Sequence, residues 1–363
     1  MKIALVHDHL VQDGGAEQVL KVLQELYPEA PIFTLVFDKK NTNSFFADKN
    51  IRTSFLQKIP YGVSRYQWWL PLMPSAIENH NLMDYDVIIS SASSFAKGVI
   101  TKPGSIHICY CHTPTRFLWT DTHSYVRELK VNPLVKSFLP LTLRKLRTWD
   151  RLAADRVDHY VANSETVRER IKKYYNHDSQ VVYPPVEIDK FYISDQPKKY
   201  YLAGSRLVPY KKIDLAVKAF SRLGIPLKIF GVGPEMELLK AMAKSNVEFL
   251  GKVNDEQKRR LFADCIAYIN PQEEDFGITA VEAMAAGRPV IAYKAGGATE
   301  TVKDGETGEF FEEQMWEELA DKILRFKQEK YNSDAIRRHA EQFSTQKFKE
   351  NMSRVINNLL NKY

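Results

Sequence analysis

The sequence predicts an α/β protein built from two parallel-sheet domains in series. Three observations carry that reading. Strand-length apolar runs alternate with helical patterns along most of the 363-residue chain. The runs are apolar at consecutive positions, as in strands covered on both faces. The alternation pauses once, at the adjacent prolines of "VVYPPVEIDKF" (181–191), which suit neither a helix nor a central strand, and then restarts.

In the first half, "KIALVHD" reads as a buried strand, and "DGGAEQVLKVLQELYP" as a glycine turn and a helix that Pro28 helps to end. "PIFTLVF", "DVIISSA", "SIHICYCHTP" and "DHYVANS" read as further strands, and Ser164 caps a helix over "ETVRERIKKYY". In the second half, strands "KYYLAGS", "PLKIFG", "VEFLG", "CIAYINP" and "PVIAY" alternate with helices "KIDLAVKAFSRL", "PEMELLKAMA", "NDEQKRRLFAD" and "TAVEAMAAG". Helices are expected near 315–328, 333–342 and 345–361. The boundaries follow: a Rossmann-like domain over 1–183, a second over 184–345, and a terminal helix, 346–363, available to return to the first domain. Ligands of such sheets bind beyond the strands' carboxyl ends, so a site between two facing sheets is expected.

Composition is that of a globular protein, 44% hydrophobic and 26% charged. No apolar run approaches the roughly 20 residues that span a bilayer, and the N-terminus reads as a strand rather than a leader. Cys109, Cys111 and Cys265 are too few and badly spaced for a disulfide framework or a zinc site, which fits a reducing cytoplasm. A net charge of +6 permits contact with phosphates or an anionic surface; no nucleic-acid partner is expected.

Candidate site residues gather at predicted strand ends. Gly14-Gly15 opens the first helix, where free amides attract phosphate, although a plain tight turn explains the pair equally and the dinucleotide fingerprint is absent. In "GSRLVPYKKID" (204–214), the fork of Arg206 and the point charge of Lys211 suit a diphosphate; a solvated basic loop is the alternative. Gly231 lies in another strand-to-helix turn, with Pro234 starting the helix. In "EEDFGITAVEAMAAG", the helix is expected to begin near Thr279, with Glu274 on the loop and Glu282 in the first turns. Amides at Phe276, Gly277 and Ile278 would face a ligand, and two carboxylates accept well from sugar hydroxyls, although glutamates near a helix N-terminus are favourable anyway. His112 closes the strand "SIHICYCH", in a structural or a functional role. No metal is expected. His7, Asp8 and His9 stand at the right end of the first strand, but alternation splits them between faces, and Asp84 and Asp86 precede their strand.

In this order, the pieces resemble the retaining glycosyltransferases of family 4, with the GT-B fold. The resemblance rests on "GGAE" (14–17), "CHTPTRFLW" (111–119), "VYPPVEIDKF" (182–191), "SRLVPYKKIDLAVKAF" (205–220) and "EDFGITAVEAMAAGRPVIAYKAGGATETVKDGETG", and so covers nearly the whole chain. The wording of "LPLMPSAIENHNLMDYDVIISSASSFAKGV" is similar to the WbaZ-like bacterial mannosyltransferases of O-antigen and exopolysaccharide assembly. One departure is Lys212, where many members carry glycine.

The resemblance implies that Gly15 packs against the donor and that Arg206 and Lys211 neutralise its diphosphate. It implies that Glu274 holds the transferred sugar with help from the Phe276 and Gly277 amides, that Glu282 holds the ribose, and that His112 meets the sugar. Backbone around Gly251, Lys252 and Val253 would meet the base. No cofactor is required; GDP-mannose is the favoured donor, with UDP-sugars next. A glycan or lipid-linked glycan is the expected acceptor, and a cytoplasmic protein, peripheral on the inner face of the cell membrane, the expected location. The basic, leucine-rich segment 129–156 offers a membrane surface, or else covers the first sheet, with Pro140 interrupting its helix. A non-catalytic sugar-nucleotide-binding protein and a nicotinamide oxidoreductase are the rival classes.

Overall fold

The computed structural model describes residues 1–122 and 133–361. The chain divides into two compact units, Met1–Pro184 with Lys349–Tyr363, and Pro185–Phe348.

Among the described residues the first unit holds a seven-stranded sheet in the order β3-β2-β1-β4-β5-β6-β7. The strands are β1 (Ile3–His7), β2 (Ile32–Thr34), β3 (Ile51–Thr53), β4 (Val87–Ala92), β5 (Ile106–Cys111), β6 (His159–Ala162) and β7 (Ser179–Val181). All pairings are parallel: Leu5 faces Ile32 on one side of β1 and Ile89 on the other. β4 and β5 are buried at every position, and the polar Ser90, Ser91 and His107 are covered along with their apolar neighbours. The predicted strand 31–37 is shorter than expected: the ladder holds Ile32–Thr34, and Phe37 makes only an isolated bridge to Leu10.

The second unit has a six-stranded parallel sheet, β10-β9-β8-β11-β12-β13, formed by β8 (Tyr201–Gly204), β9 (Leu227–Phe230), β10 (Val247–Gly251), β11 (Tyr268–Asn270), β12 (Val290–Tyr293) and β13 (Gly308–Phe311). In both sheets the strand order reverses beside the first strand, between β1 and β4 and between β8 and β11, and such reversals open a crevice at the strands' carboxyl ends. Helices predicted near the end of the chain appear at Trp316–Arg325, Ser333–Ala340 and Thr345–Leu360. The last contributes its residues from Lys349 onward to the first unit, where Lys349 pairs with Glu25 at 2.8 Å.

Pro140 does not interrupt its helix, contrary to the sequence expectation. Pro133–Ala154 runs continuously through it. A proline removes one backbone bond, and here burial of Leu143, Leu146, Ala153 and Ala154 holds the helix against the core. The part of segment 129–156 before Pro133 lies outside the described residues. In the described remainder, the buried residues cover the first unit's core, while Arg144 and Lys145 are exposed. Among the described residues no helix is long and apolar enough to cross a membrane.

Candidate active site

In the first unit, His7 ends β1, Asp8 and His9 follow it, and His112 follows the end of β5. Asp8 is fully engaged. Its two oxygens accept four backbone amides, from Ser93 (2.6 Å), Ser94 (2.9 Å), Phe95 (2.7 Å) and Ala96 (2.6 Å). Burial alone would raise its carboxyl; His7, His9 and those amides reverse this and hold it below the usual range. Asp8 thus clamps the turn after β4. Among the described residues no cluster of metal-ligating side chains forms, and Asp86 spends its carboxylate at the amino end of β4 on the Lys2 amide and Lys102.

Ser91, in β4, bridges two imidazoles. Its hydroxyl lies 3.2 Å from His7 Nδ1 and 2.8 Å from His112 Nε2. Glu17, buried in the first helix, stands 3.8 Å from His7 Nε2. Burial and the neighbouring His7 push His112 down to about 4, so near pH 7 it is a neutral hydrogen-bonding group. Gly14 caps the helix Gly15–Leu26 in extended backbone open to any residue; what limits it is space, since a Cβ would come 3.0 Å from Glu17 Oε2.

The loop carrying His112 is anchored by a buried ion pair that the sequence does not announce. Lys97 Nζ donates to Asp150 Oδ1 at 2.6 Å, both side chains being at most 2% exposed. Thr115 Oγ1 (2.6 Å), Trp119 Nε1 (2.8 Å) and Tyr175 Oη (2.9 Å) also donate to Asp150. With its lone pairs satisfied, the charge is stable only while every partner stays in place.

The second unit brings the predicted donor-binding residues to the carboxyl ends of β8 through β11. Lys211 donates to Glu274 Oε1, joining the loop after β8 to the loop after β11. Gln272 Nε2 donates to the same oxygen at 2.8 Å. Tyr210 serves both cations: Arg206 Nη2 donates to its hydroxyl at 2.8 Å, and Lys211 Nζ stands 5.4 Å from its ring centroid. Tyr268 donates to the Gly204 carbonyl at 2.8 Å, and burial with the charges of Glu274 and Glu282 keeps its phenol well above the usual range.

The helix carrying Glu282 begins at Ile278, one residue before the expected Thr279. Gly277 caps it at φ +91, a left-handed geometry that glycine adopts without strain. Gly231 (φ +114) is required twice over, because a Cβ there would lie 1.8 Å from the Ser205 carbonyl. Its amide donates to the Gly251 carbonyl at 2.7 Å, which ties the turn after β9 to Gly251–Val253. Lys212, the departure noted above, is left-handed (φ +51), a geometry that costs a side-chain-bearing residue about 1–2 kcal/mol and accounts for glycine's suitability there.

Glu282 is not an isolated surface carboxylate. Lys258, on the helix Asp255–Asp264, places its ammonium 2.7 Å from Oε1 and 2.6 Å from Oε2. Sequence reading missed Lys258, Tyr210, Gln272, Ser91 and the Lys97–Asp150 pair. Gln272 had a signal, since residues two apart on an extended segment share a face. Lys258 had none, being on a separate element.

Residues 186–344 match the family described as Glycosyl transferases group 1, and residues 14–190 match Glycosyltransferase Family 4. The chain is 27% identical over 299 residues to the alpha-1,3/1,6-mannosyltransferase ALG2 of Rhizomucor pusillus, and 28% identical over 276 residues to ALG2 of Dictyostelium discoideum. These matches take in 66% and 62% of this chain but 62% and 63% of those relatives, under two thirds of their length. Among solved structures, the fold is similar to Anabaena Alr3699/HepE, crystallised with UDP (TM-score 0.72, 18% identity, 99% of this chain and 100% of that one). It is also similar to sucrose-phosphate synthase from Thermosynechococcus elongatus (TM-score 0.75, 16% identity, 100% of both).

Proposed function

We propose the following from one premise: the chain belongs to the family 4 glycosyltransferases, with the GT-B fold. Its reaction is transfer of mannose from GDP-mannose, with retention, to a lipid-linked or growing polysaccharide, as in the WbaZ-like enzymes of O-antigen and exopolysaccharide assembly. The second unit binds the nucleotide-sugar and the first serves the acceptor. The observation that carries this reading is the Lys211–Glu274 pair at the reversal of the second sheet. A phosphate-binding cation and a hydroxyl-accepting carboxylate stand side by side there, as a diphosphate joined to a sugar requires.

In this reading Arg206 and Lys211 hold the diphosphate and Glu274 the mannose hydroxyls. The amides of Phe276, Gly277 and Ile278 assist, Glu282 holds the ribose, and Gly231 and Gly251–Val253 line the nucleotide. Gly14, Gly15 and His112 also belong to the proposed donor contacts. The bond from the anomeric carbon to the phosphate oxygen breaks, and the electron pair leaves with the nucleoside diphosphate. The acceptor oxygen bonds to the same face of the sugar, and its proton passes to the departing phosphate. The transition state is oxocarbenium-like, and fixed cations act where the leaving group gains charge, so no metal is required. The name of the ALG2 relatives supports mannose. UDP in the HepE structure favours a UDP-sugar as the second reading.

For the acceptor, we place a peripheral contact with the inner face of the cell membrane on the first unit. Tyr61 and Trp68 are 62% and 60% exposed there, with the Arg65 guanidinium over both rings. Aromatic and basic groups of this kind suit an anionic lipid interface.

Thermal unfolding with GDP, UDP, ADP or NAD, each with EDTA, tests the reading. A ligand at a hundredfold over its Kd stabilises by about 2.7 kcal/mol, a shift of several degrees. A shift with GDP alone supports the proposal. A shift with UDP replaces the donor, and one with NAD alone overturns the reading.

A further inference from the structure

We infer that Lys258 is a positioning residue for the ribose end of the donor, fixing the Glu282 carboxylate and coupling it to the segment that meets the base. The inference rests on the proposed ribose role of Glu282. Three observations support it. The Lys258 ammonium spans both Glu282 oxygens, at 2.7 and 2.6 Å, and the glutamate side chain is only 13% exposed. A shielded carboxylate with one cation on both oxygens is restricted to a narrow set of rotamers.

The second observation is that Oε2, though close to the ammonium, accepts no aligned hydrogen bond. A carboxylate has about four lone-pair sites, so this pairing holds Glu282 in place while leaving it acceptor capacity. Two adjacent ribose hydroxyls are the donors that such a carboxylate recognises.

The third is the placement of Lys258 itself. Its helix starts directly after Gly251–Val253, and a reciprocal cap pins that start. Asn254 Oδ1 accepts from the Gln257 amide at 2.8 Å, and the Asn254 amide donates to Gln257 Oε1 at 3.0 Å. The Lys258 amide donates to the Asn254 carbonyl at 2.8 Å. One short helical turn therefore links the base-side backbone to the ribose carboxylate. The Lys211–Glu274 pair differs in kind: donor binding must draw that pair apart, whereas the Lys258–Glu282 pair persists with ligand bound.

The experiment measures calorimetric Kd values for GDP and 2′,3′-dideoxy-GDP, with the UDP pair in parallel, on the intact protein and on Lys258→Met, Lys258→Arg, Glu282→Gln and the double variant Lys258→Met/Glu282→Gln. We expect Lys258→Met to weaken the ribonucleotide about tenfold, the scale of one charge-assisted hydrogen bond, while the dideoxynucleotide changes less than threefold. Lys258→Arg restores discrimination, and the double variant is no weaker than Glu282→Gln alone. Equal losses for both nucleotides, or tighter binding by Lys258→Met, would overturn the inference, as would retained discrimination. If the unaltered protein binds ribo- and dideoxynucleotide equally, the ribose role of Glu282 fails instead. If it binds neither GDP nor UDP, the proposed function fails.

Discussion

Replacing Glu274 by glutamine tests the chemistry at its centre, because the change keeps shape and removes charge. Glu274 is about one-fifth exposed and accepts from Lys211 and Gln272. In the proposed complex it accepts instead from two sugar hydroxyls. A hydrogen bond to a charged group contributes about 1.5–3 kcal/mol and a neutral one about 0.5–1.5, so two weakened bonds cost about 2–3 kcal/mol. That is a roughly 30- to 160-fold loss of turnover. Binding of the bare nucleoside diphosphate should move the other way. Lys211 loses its carboxylate partner, and a pair this shielded is worth on the order of 1 kcal/mol, which tightens the diphosphate about fivefold. Slow acceptor-independent donor hydrolysis reports the first effect and titration calorimetry the second. Unchanged hydrolysis would refute the sugar contact, and tenfold weaker nucleotide binding would refute the competition for Lys211.

Glu282→Ala should weaken nucleotide binding at least tenfold while leaving the unfolding midpoint of the free protein within a few degrees; an unchanged Kd removes the ribose role. Asp150→Asn breaks a buried pair and should cost about 3–5 kcal/mol in urea unfolding, and a loss below about 1 kcal/mol would contradict the stabilising role given to this ion pair. Lys212→Gly relieves a left-handed side-chain-bearing residue and should stabilise by up to about 1 kcal/mol; destabilisation would mean that the Lys212 side chain has an unrecognised role. Acid should weaken the first unit, because burial holds His80, His107 and His112 near 4 against an ordinary 6.5. Above pH 6.5 both states are neutral, but between 6.5 and 4 the unfolded chain binds protons that the folded one refuses. Stability then falls with falling pH by up to about 1.4 kcal/mol per unit for each histidine, and a urea midpoint rising from pH 7 to pH 5 would contradict this.

What the sequence made legible follows from local physics. Central strands such as β4 and β5 are mostly apolar because both faces are covered, and their exceptions, Ser90, Ser91 and His107, are themselves buried, so these strands are readable from their own residues. The edge strands β3, β7 and β13 were missed: each has three or four residues, and β3 and β7 contain no buried position. Their pairing comes from the neighbouring strand, not from their own residues. Loop-helix junctions were readable because glycine and carboxylate stand close in sequence, as at Glu274, Gly277 and Glu282. Ion pairs such as Lys97–Asp150 and Lys258–Glu282 join elements 53 and 24 residues apart, and no local pattern encodes them. Pro140 erred in the opposite sense, since a strong local breaker was outweighed by burial along the rest of its helix.

In the proposed donor site, the pairing of Lys211 with Glu274 behaves as a logical conjunction. An anion arriving alone, such as inorganic phosphate, can claim the lysine only by stranding a carboxylate. A polyol arriving alone can claim the glutamate only by stranding an ammonium. A molecule that carries both groups, joined at the right distance, replaces each half of the pair at once and strands neither. Discrimination against the abundant small anions and free sugars of a cell would then arise before any chemistry, from an internal contact that acts as a decoy ligand.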